Sequence, residues 1–218
     1  MVKKRDSSAK ERILDSAEAL FSRHGYDGVT LRKIATDAEV DVALANYYFG
    51  PKKDLFDAVL LRRAEILNDL RLKELEECEE RAAPNPPSVE DIVSSFLHPL
   101  LIRPETQGPG WRNYYALVAY INNSPEWGGT AMTKYFDPLV KRFIRALHRT
   151  LPDLPEADLF WCYQFLSGAL VLSFAETGRI DRLSGGLCRS DDLAAAYKRM
   201  VPFFVEGLKA MERPYKKV

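Results

Sequence analysis

The chain has 218 residues, 46% of them hydrophobic and 28% charged. That length holds one large domain or two small ones, and the balance excludes an intrinsically disordered chain. Lys plus Arg and Asp plus Glu number 31 each, so the net charge is zero and any attraction to nucleic acid must come from a local basic surface.

Such a surface opens the chain, where Lys3, Lys4, Arg5, Lys10 and Arg12 outweigh Asp6 and Glu11. Helical periods follow throughout, with no convincing strand pair and no internal repeat, so the expected fold is all-α with about nine helices. The first helix spans about 8–24, with Ile13, Ala17, Leu20 and Phe21 as its apolar stripe. Arg23 and His24 followed by Gly25 end it, as cations in a last turn and a glycine beyond it do. Thr30 caps a second helix whose inner face is Leu31, Ile34, Ala35 and Ala38. Asp41 caps a third over 42–49, and Gly50-Pro51 closes it. A fourth runs from Lys52 to about Glu80 on Leu55, Phe56, Val59, Leu60, Ala64, Leu67 and Leu70. Its mostly charged end, 71–81, is expected to be solvated.

Residues 83–87, APNPP, form the clearest break. Ser88 and Asp91 make a near capping box for the next helix. Residues 102–110 read as a loop, and 111–122 as a helix. Pro125 opens a helix towards Leu151 that Pro138 must kink or divide. The last two helices cover about 156–177 and 191–211.

The helix over 156–177 has apolar stripes on opposite sides. Leu159, Tyr163, Leu166 and Leu170 form one; Trp161, Phe165, Gly168 and Leu172 form the other. Together with Tyr197 and Phe204 on the final helix, the second stripe suits a four-helix homodimer interface. The alternative is a central helix of a monomeric core.

Cys78, Cys162 and Cys188 are odd in number and far apart, which suggests reduced thiols in a cytoplasmic protein. The three histidines show no metal-ligand spacing, so no metal and no cofactor is expected. No apolar run reaches the ~20 residues that span a bilayer. The start lacks the apolar segment of a secretory signal, and no membrane partner is expected.

Residues 31–56, LRKIATDAEVDVALANYYFGPKKDLF, read as a helix-turn-helix, which names double-stranded DNA as the partner. Ala45 and Phe49 should face inward. Val42, Ala43 and Leu44 can meet thymine methyl groups, and Arg32 has the fork that matches guanine. Arg32 could instead pair with Asp27 or Asp37. Tyr47, Tyr48, Thr30 and Lys52 suit phosphate contacts, which position without reading sequence. Asn46 either braces the helix end or touches DNA, and Lys53 is more readily a solvated charge. One such module makes few contacts, so a twofold dimer on a palindromic operator is expected.

The second half is rich in aromatics. Trp111, Tyr115, Phe136 and Phe165 are the candidate walls of a pocket for a largely apolar ligand, with Tyr114, Asn122 or His98 to orient it. The segment Gly108-Pro109-Gly110 is a candidate door.

The stretches ILDSAEALFSRHGYDGVTLRKIA and ALANYYFGPKKDLF resemble the DNA-binding domain of the TetR family of bacterial transcriptional repressors, over about residues 9–56. Two positions depart from it: Glu39 stands where the family usually has Gly, and Asn46 where it usually has Tyr. The Asn-Tyr-x-Phe-Gly-x-Lys variant, with YFDPLVKRFIRAL and FLSGAL…LSGGLC, resembles a subgroup that includes PsrA-type, fatty-acid-responsive regulators. The resemblance implies a DNA-binding domain over 1–54 and a helical regulatory and dimerisation domain over 55–218. It implies DNA contacts at Thr30, Arg32, Val42, Ala43, Tyr47, Tyr48 and Lys52. It also implies a homodimeric repressor released by a small apolar effector of the fatty acid or acyl-CoA class. Two competing readings are a DNA-binding architectural protein without a ligand and an all-helical enzyme. Against the enzyme, the sequence holds no metal cluster, no Gly-rich phosphate loop after a strand and no nucleophile–base motif.

Overall fold

A computed structural model describes residues 8–124 and 128–212, and those residues are helical with no strand. Ten α-helices follow one another: α1 Ala9–His24, α2 Leu31–Asp37, α3 Val42–Phe49, α4 Lys52–Ala82, α5 Val89–Leu101, α6 Pro109–Asn122, α7 Gly128–Thr150, α8 Glu156–Phe174, α9 Arg179–Leu183 and α10 Leu193–Glu212. A short 3-10 turn, Pro104–Thr106, joins α5 to α6. The basic residues Lys3, Lys4 and Arg5, and the helix start expected at Pro125, lie outside the described residues.

Local chemistry sets the first three helices. Ser8 Oγ accepts from Glu11 N, Thr30 Oγ1 from Lys33 N, and Asp41 Oδ1 from Ala43 N at 2.7 Å, so each N-terminus has its capping acceptor. Ile13, Ala17, Phe21, Ile34 and Ala45 are fully enclosed together. The boundary expected after residue 54 falls in the first turn of α4, and α4 crosses it without a break. Phe56 packs edge-on to Phe21 with centroids 5.0 Å apart, so the start of α4 shares the core of α1 to α3.

The charged end of α4 is not solvated as a whole. Arg71, Leu75 and Cys78 continue the buried stripe of Leu67 at helical spacing, against α5. On the other side Glu79 pairs with Arg142 and Arg149 of α7. Pro138 neither divides nor ends α7. Proline cannot donate to the carbonyl of Lys134, and Asn68 of α4 donates Nδ2 to the adjacent Tyr135 carbonyl at 2.9 Å. Neither Pro99 in α5 nor Pro202 in α10 stops its helix.

Two boundaries differ from expectation. α8 stops at Phe174 and not near Thr177, because Glu176 (φ 40°) and Gly178 (φ 64°) turn the chain into the left-handed region. A five-residue α9 then adds a tenth helix. The segment expected as a door is the cap and first turn of α6: Gly108 is the N-cap and Pro109 the first helical residue. A Cβ on Gly110 would lie 2.1 Å from Arg63 Nη2, so this turn is clamped on α4.

Glu39 adopts φ 54° in the turn between α2 and α3. The turn is closed by Glu39 N to Thr36 O and Val40 N to Ala35 O. A non-glycine residue there is strained by about 1–3 kcal/mol. Part of that returns on substitution, because glycine loses more chain entropy on folding. Glu39→Gly should therefore stabilise the protein by about 0.5–1 kcal/mol in urea unfolding; unchanged or lower stability would show that the Glu39 side chain compensates the strain.

Hydrogen bonding from Arg142, with the charges of Arg142 and Arg149, holds the Glu79 carboxyl below its usual pKa. A depressed carboxylate pKa contributes stability above the unfolded-state value, and this is lost as pH falls through the folded one. Arg142→Gln should lower stability at neutral pH and flatten its decline below about pH 4.5. Unfolding curves at several pH values check this.

Candidate DNA interface and internal cavity

α2 and α3 pack on each other and on α1, and each buries only a few of its residues. Ala45 points inward, and Phe49 is half-buried against the core with Lys10 Nζ 5.9 Å from its ring centroid. Of the residues expected to meet DNA, Thr30, Arg32, Val42, Ala43, Asn46, Tyr47 and Tyr48 are exposed and Leu44 is half-buried. Tyr47 is 82% exposed and edge-on to Tyr48 at 5.5 Å, a pair of phenols open to solvent.

Each polar candidate has a definite local role. Arg32 forms no ion pair with Asp27 or Asp37 among the described residues; Asp37 instead accepts from Ser16 Oγ at 2.7 Å. Its guanidinium is therefore available for a base edge. Thr30 uses its oxygen as a cap, which leaves its O–H to donate to a phosphate. Asn46 donates Nδ2 to Val42 O at 3.2 Å, which braces α3 and leaves its carbonyl oxygen outward. Arg12, part of the basic start, donates Nε to the Ala38 carbonyl at 3.1 Å and so ties α1 to the turn.

Lys52 is more deeply engaged than a simple phosphate hook. Nζ donates to the carbonyls of Tyr26 at 3.0 Å and Val29 at 3.1 Å, and lies 3.9 Å from the Tyr26 ring centroid. It fastens the start of α4 to the turn between α1 and α2, with one of its three N–H donors left over. Lys33, beside Arg32 and exposed, adds a cation to this surface that sequence reasoning did not single out.

A cavity of about 50 Å³ lies between α4, α5, α6, α7 and α8. Tyr115 and Phe136 line it; Trp111 and Phe165 do not. Trp111 is buried to one side, its ring 4.9 Å from Arg63 Cζ and edge-on to Tyr114. Phe165 points away, 59% exposed, stacked on Trp161. Of the orienting groups, Tyr114 and Asn122 line the cavity, while His98 pairs with Glu74 at 2.9 Å outside it. The Tyr115 hydroxyl donates towards Leu100 O and Thr106 O, and burial pushes its pKa up to about 12. Sequence reasoning missed Arg71, which lines the cavity from α4 and is 5% exposed. The 67, 71, 75, 78 spacing, which continues the apolar stripe through a charge, was the available signal.

The residues expected at a dimer seam divide. Trp161, Gly168 and Leu172 are exposed along one side of α8, and no other atom comes within 4 Å of a Cβ placed on Gly168. Phe204 faces the core instead, at 9% exposure, and Tyr197 is half-buried with its ring 5.9 Å from that of His98. The outward aromatic on α10 is Phe203, because a one-residue step turns a helical side chain by about 100°.

Two family models match the chain. The model described as "Bacterial regulatory proteins, tetR family" covers residues 13–59, and "Tetracyclin repressor-like, C-terminal domain" covers 94–207. This chain belongs to the TetR family. Its curated relatives include the probable HTH-type transcriptional regulator YttP of Bacillus subtilis, 42% identical over 23% of this chain and 24% of that protein. They also include IcaR, the negative transcriptional regulator of the biofilm operon icaADBC in Staphylococcus aureus, 36% identical over 28% of this chain and 33% of that protein. The chain thus aligns with a third or less of the length of these relatives. Among solved structures, the fatty acid degradation regulator FadR from Bacillus halodurans matches with a TM-score of 0.67 at 15% identity, covering 94% of this chain and 99% of that one. A transcriptional regulator from Pseudomonas aeruginosa PAO1 matches at TM-score 0.61 and 18% identity over 94% and 93%. At these identities the likeness concerns the fold. TetR-family chains are DNA-binding transcriptional regulators and not enzymes.

Arg32 and Lys52 should separate in their effects. Arg32→Ala is expected to leave the melting temperature unchanged and to lose discrimination at one base pair per half-site, by about 1–3 kcal/mol. Lys52→Ala should weaken all DNA sequences alike and also lower the melting temperature, since it removes two internal hydrogen bonds. Binding-site selection and thermal melts on both variants check this; an unaltered base preference for Arg32→Ala assigns that residue to structure.

Proposed function

We propose that this TetR-family chain is an effector-responsive transcriptional repressor that acts in the cytoplasm, as a homodimer on a palindromic operator. The observation that carries the reading is α4. Its first turns share the core of the DNA-binding helices, and the same helix supplies Leu67 and Arg71 to the internal cavity. A small, largely apolar occupant of that cavity therefore acts on the element that positions α3. The proposed DNA contacts are Thr30, Arg32, Val42, Ala43, Leu44, Asn46, Tyr47, Tyr48 and Lys52, and the regulatory part is 55–218. FadR, of similar fold, is a fatty acid degradation regulator, which supports a fatty acid or acyl-CoA class of effector and the PsrA-type likeness.

The cavity volume is well below the ~300–1,000 Å³ of ligand sites. An occupant of more than a few atoms must part the helices around it, and this links occupancy to helix position. A second link is Tyr114, which touches Trp111; Trp111 lies under Arg63; and Arg63 holds Glu18 of α1 with Nε at 2.7 Å. A coupling of about 1–3 kcal/mol along these contacts would change operator affinity roughly 5- to 150-fold.

Dimerisation is proposed through the outer faces of α8 and α10. Leu172 is 68% exposed, and it continues the stripe of Trp161 and Phe165, with Phe203 on α10. Contiguous apolar surface of this kind marks an interaction site. Two copies so joined present two recognition helices to half-sites about 34–36 Å apart.

Phe165→Glu should leave the monomer folded and dissociate the dimer, because its side chain is mostly exposed in the single chain and a charge at the seam would be buried unpaired. Phe204→Glu should instead unfold the chain. Sedimentation at micromolar concentration reads both, and binding-site selection should return an inverted repeat for the unmodified protein. A monomeric parent protein, or a selected site without twofold symmetry, overturns the dimer. A ligand-independent architectural protein would show no stabilisation by any related set of small molecules in a thermal-shift screen.

A further inference from the structure

The segment between α8 and α10 carries apolar side chains that the single chain leaves uncovered. No residue of α9 is buried. Leu183 is 75% exposed, Leu187 90%, and Ile180 is exposed beside them. Polar bonds close this arm: Gly186 N donates to Asp181 O at 2.9 Å, Cys188 N to Ser184 Oγ at 2.9 Å and Ser190 N to Asp181 Oδ2 at 3.0 Å. On α9 itself Arg179 and Arg182 outnumber Asp181, whose carboxylate is turned onto Ser190 N. Both arginines are exposed and form no ion pair among the described residues. Opposite charge stands at the other end of α8. Residues 151–178 contain no Lys or Arg. Asp153 and Glu156 are exposed there, also without an ion pair among the described residues, close in sequence to the exposed rings of Phe160 and Trp161. The length of α8 keeps these two sets about 27 Å apart, so they cannot meet within one chain.

We infer that α9 and the turn after it dock on the first turns of α8 in a second copy of this chain. Leu183 and Leu187 cover the partner's aromatic rings, and Arg179 and Arg182 face the acids at the start of its α8. This rests on the homodimer proposed above and adds a contact to it. A twofold axis perpendicular to α8 sets the two copies of this helix antiparallel, and every contact is then made twice. Gly168 suits the crossing point: it has no side chain, and a Cβ placed on it would have no other atom within 4 Å. Glu156 precedes Gly168 by twelve residues, about 18 Å of helix. The antiparallel copy therefore sets its Glu156 about 18 Å beyond the crossing on the other side. That is past Phe174, the last residue of α8, at the end from which α9 continues. Size points the same way. A stable interface takes roughly 20–30 residues a side. The stripe of Trp161, Phe165, Leu172 and Phe203 is short of that, and an arm at each end enlarges the seam.

Sedimentation of the full chain over a range of concentrations gives the dimer dissociation constant and tests the inference. Replacing Leu183 and Leu187 together by Ser should raise that constant about 10-fold or more. The circular dichroism spectrum should not change, because both side chains are exposed in the single chain. Reversing the arm's charge with Arg179→Glu and Arg182→Glu should weaken the dimer several-fold, and so should Asp153→Lys with Glu156→Lys. All four substitutions together should restore most of the lost affinity, since opposite charges face each other again across the seam. The distance along α8 prevents a rescue within one chain, so recovery reports a contact between copies. A dimer unaffected by the leucine substitutions overturns the arm contact and leaves the α8 seam standing. So does a four-substitution protein as weak as the two reversals added together. A monomeric parent protein removes the seam and the arm contact together. Should the leucine variant not fold, the charge-reversal set decides.

Discussion

The carboxylate of Glu18 holds the two halves of the chain in register. Its side chain is 2% exposed, on a helix of the DNA-binding unit. It accepts from Arg62 Nη2 at 2.9 Å and from Arg63 Nε and Nη2 at 2.7 and 3.0 Å, both on α4. Removing a partner from a buried pair costs about 3–5 kcal/mol, though here the arginines keep some contact with water and the cost lies towards the lower end. Arg62 reaches on to Asp15 at 2.8 Å and to Glu11 at 3.4 Å, so the link covers two turns of α1. Arg63 at the same time lies over Trp111 and fills the space left by Gly110. α1, α4 and α6 are thus interlocked around one acid. The position of α3 follows, because Ser16 and Arg12 of α1 hold the end of α2 through Ile34 O and Ala38 O.

Arg63 and Arg71 lie two turns apart on α4 and illustrate opposite solutions to burying a cation. Arg63 has its carboxylate, and the pair is part of the scaffold. Arg71 has a ring face and one carbonyl. A cation–π contact is worth about 0.5–2 kcal/mol, which offsets only part of the several kcal/mol that desolvating an ion costs. The first arginine fixes helices to each other; the second leaves them less stable than an apolar residue would. That imbalance lies in the cavity region and not at the α1–α4 joint.

The helix-turn-helix was legible because its determinants are local. Caps at Thr30 and Asp41, glycine stops at Gly25 and Gly50, and stripes three and four residues apart act within single helices, and the resemblance covers the same span. The departure at Glu39 was also legible, and it does take the left-handed conformation. What failed was the phase of helices whose partners are distant in sequence. Phe165 and Phe204 are both aromatic on amphipathic helices, and only packing decides that the first faces out and the second in. Trp111 was read as a cavity wall because it is aromatic and near Tyr115; the arginine that draws it aside is 48 positions earlier. Arg71 was hidden by its neighbours, since a run such as RLKELEECEER reads as a solvated face. Cavity walls come from five helices, so the sequence carries them only as an excess of aromatics.

α8 joins these threads. Leu159, Leu166, Leu170 and Phe174 bury one side of it, and Trp161, Phe165 and Leu172 leave the other side apolar and open. A helix apolar around its circumference is also what crosses a bilayer, and α8 is long and apolar enough to pass that test. Its inner side chains, however, cover α6 and α10, and withdrawing them into lipid would strip those partners bare. Each large apolar side chain left uncovered costs about 1.5–3 kcal/mol, against a total stability of about 5–15 kcal/mol for a domain. A second protein surface covers the outer stripe without that loss. The inner face of α8 also supplies Tyr163, Ser167 and Phe174 to the cavity. In the proposed dimer, an occupant that widens the cavity therefore presses on the seam from within. The spacing of the two recognition helices then responds through α8 as well as through α4. Two rigid elements meeting at one small cavity give its occupant leverage that neither would supply alone.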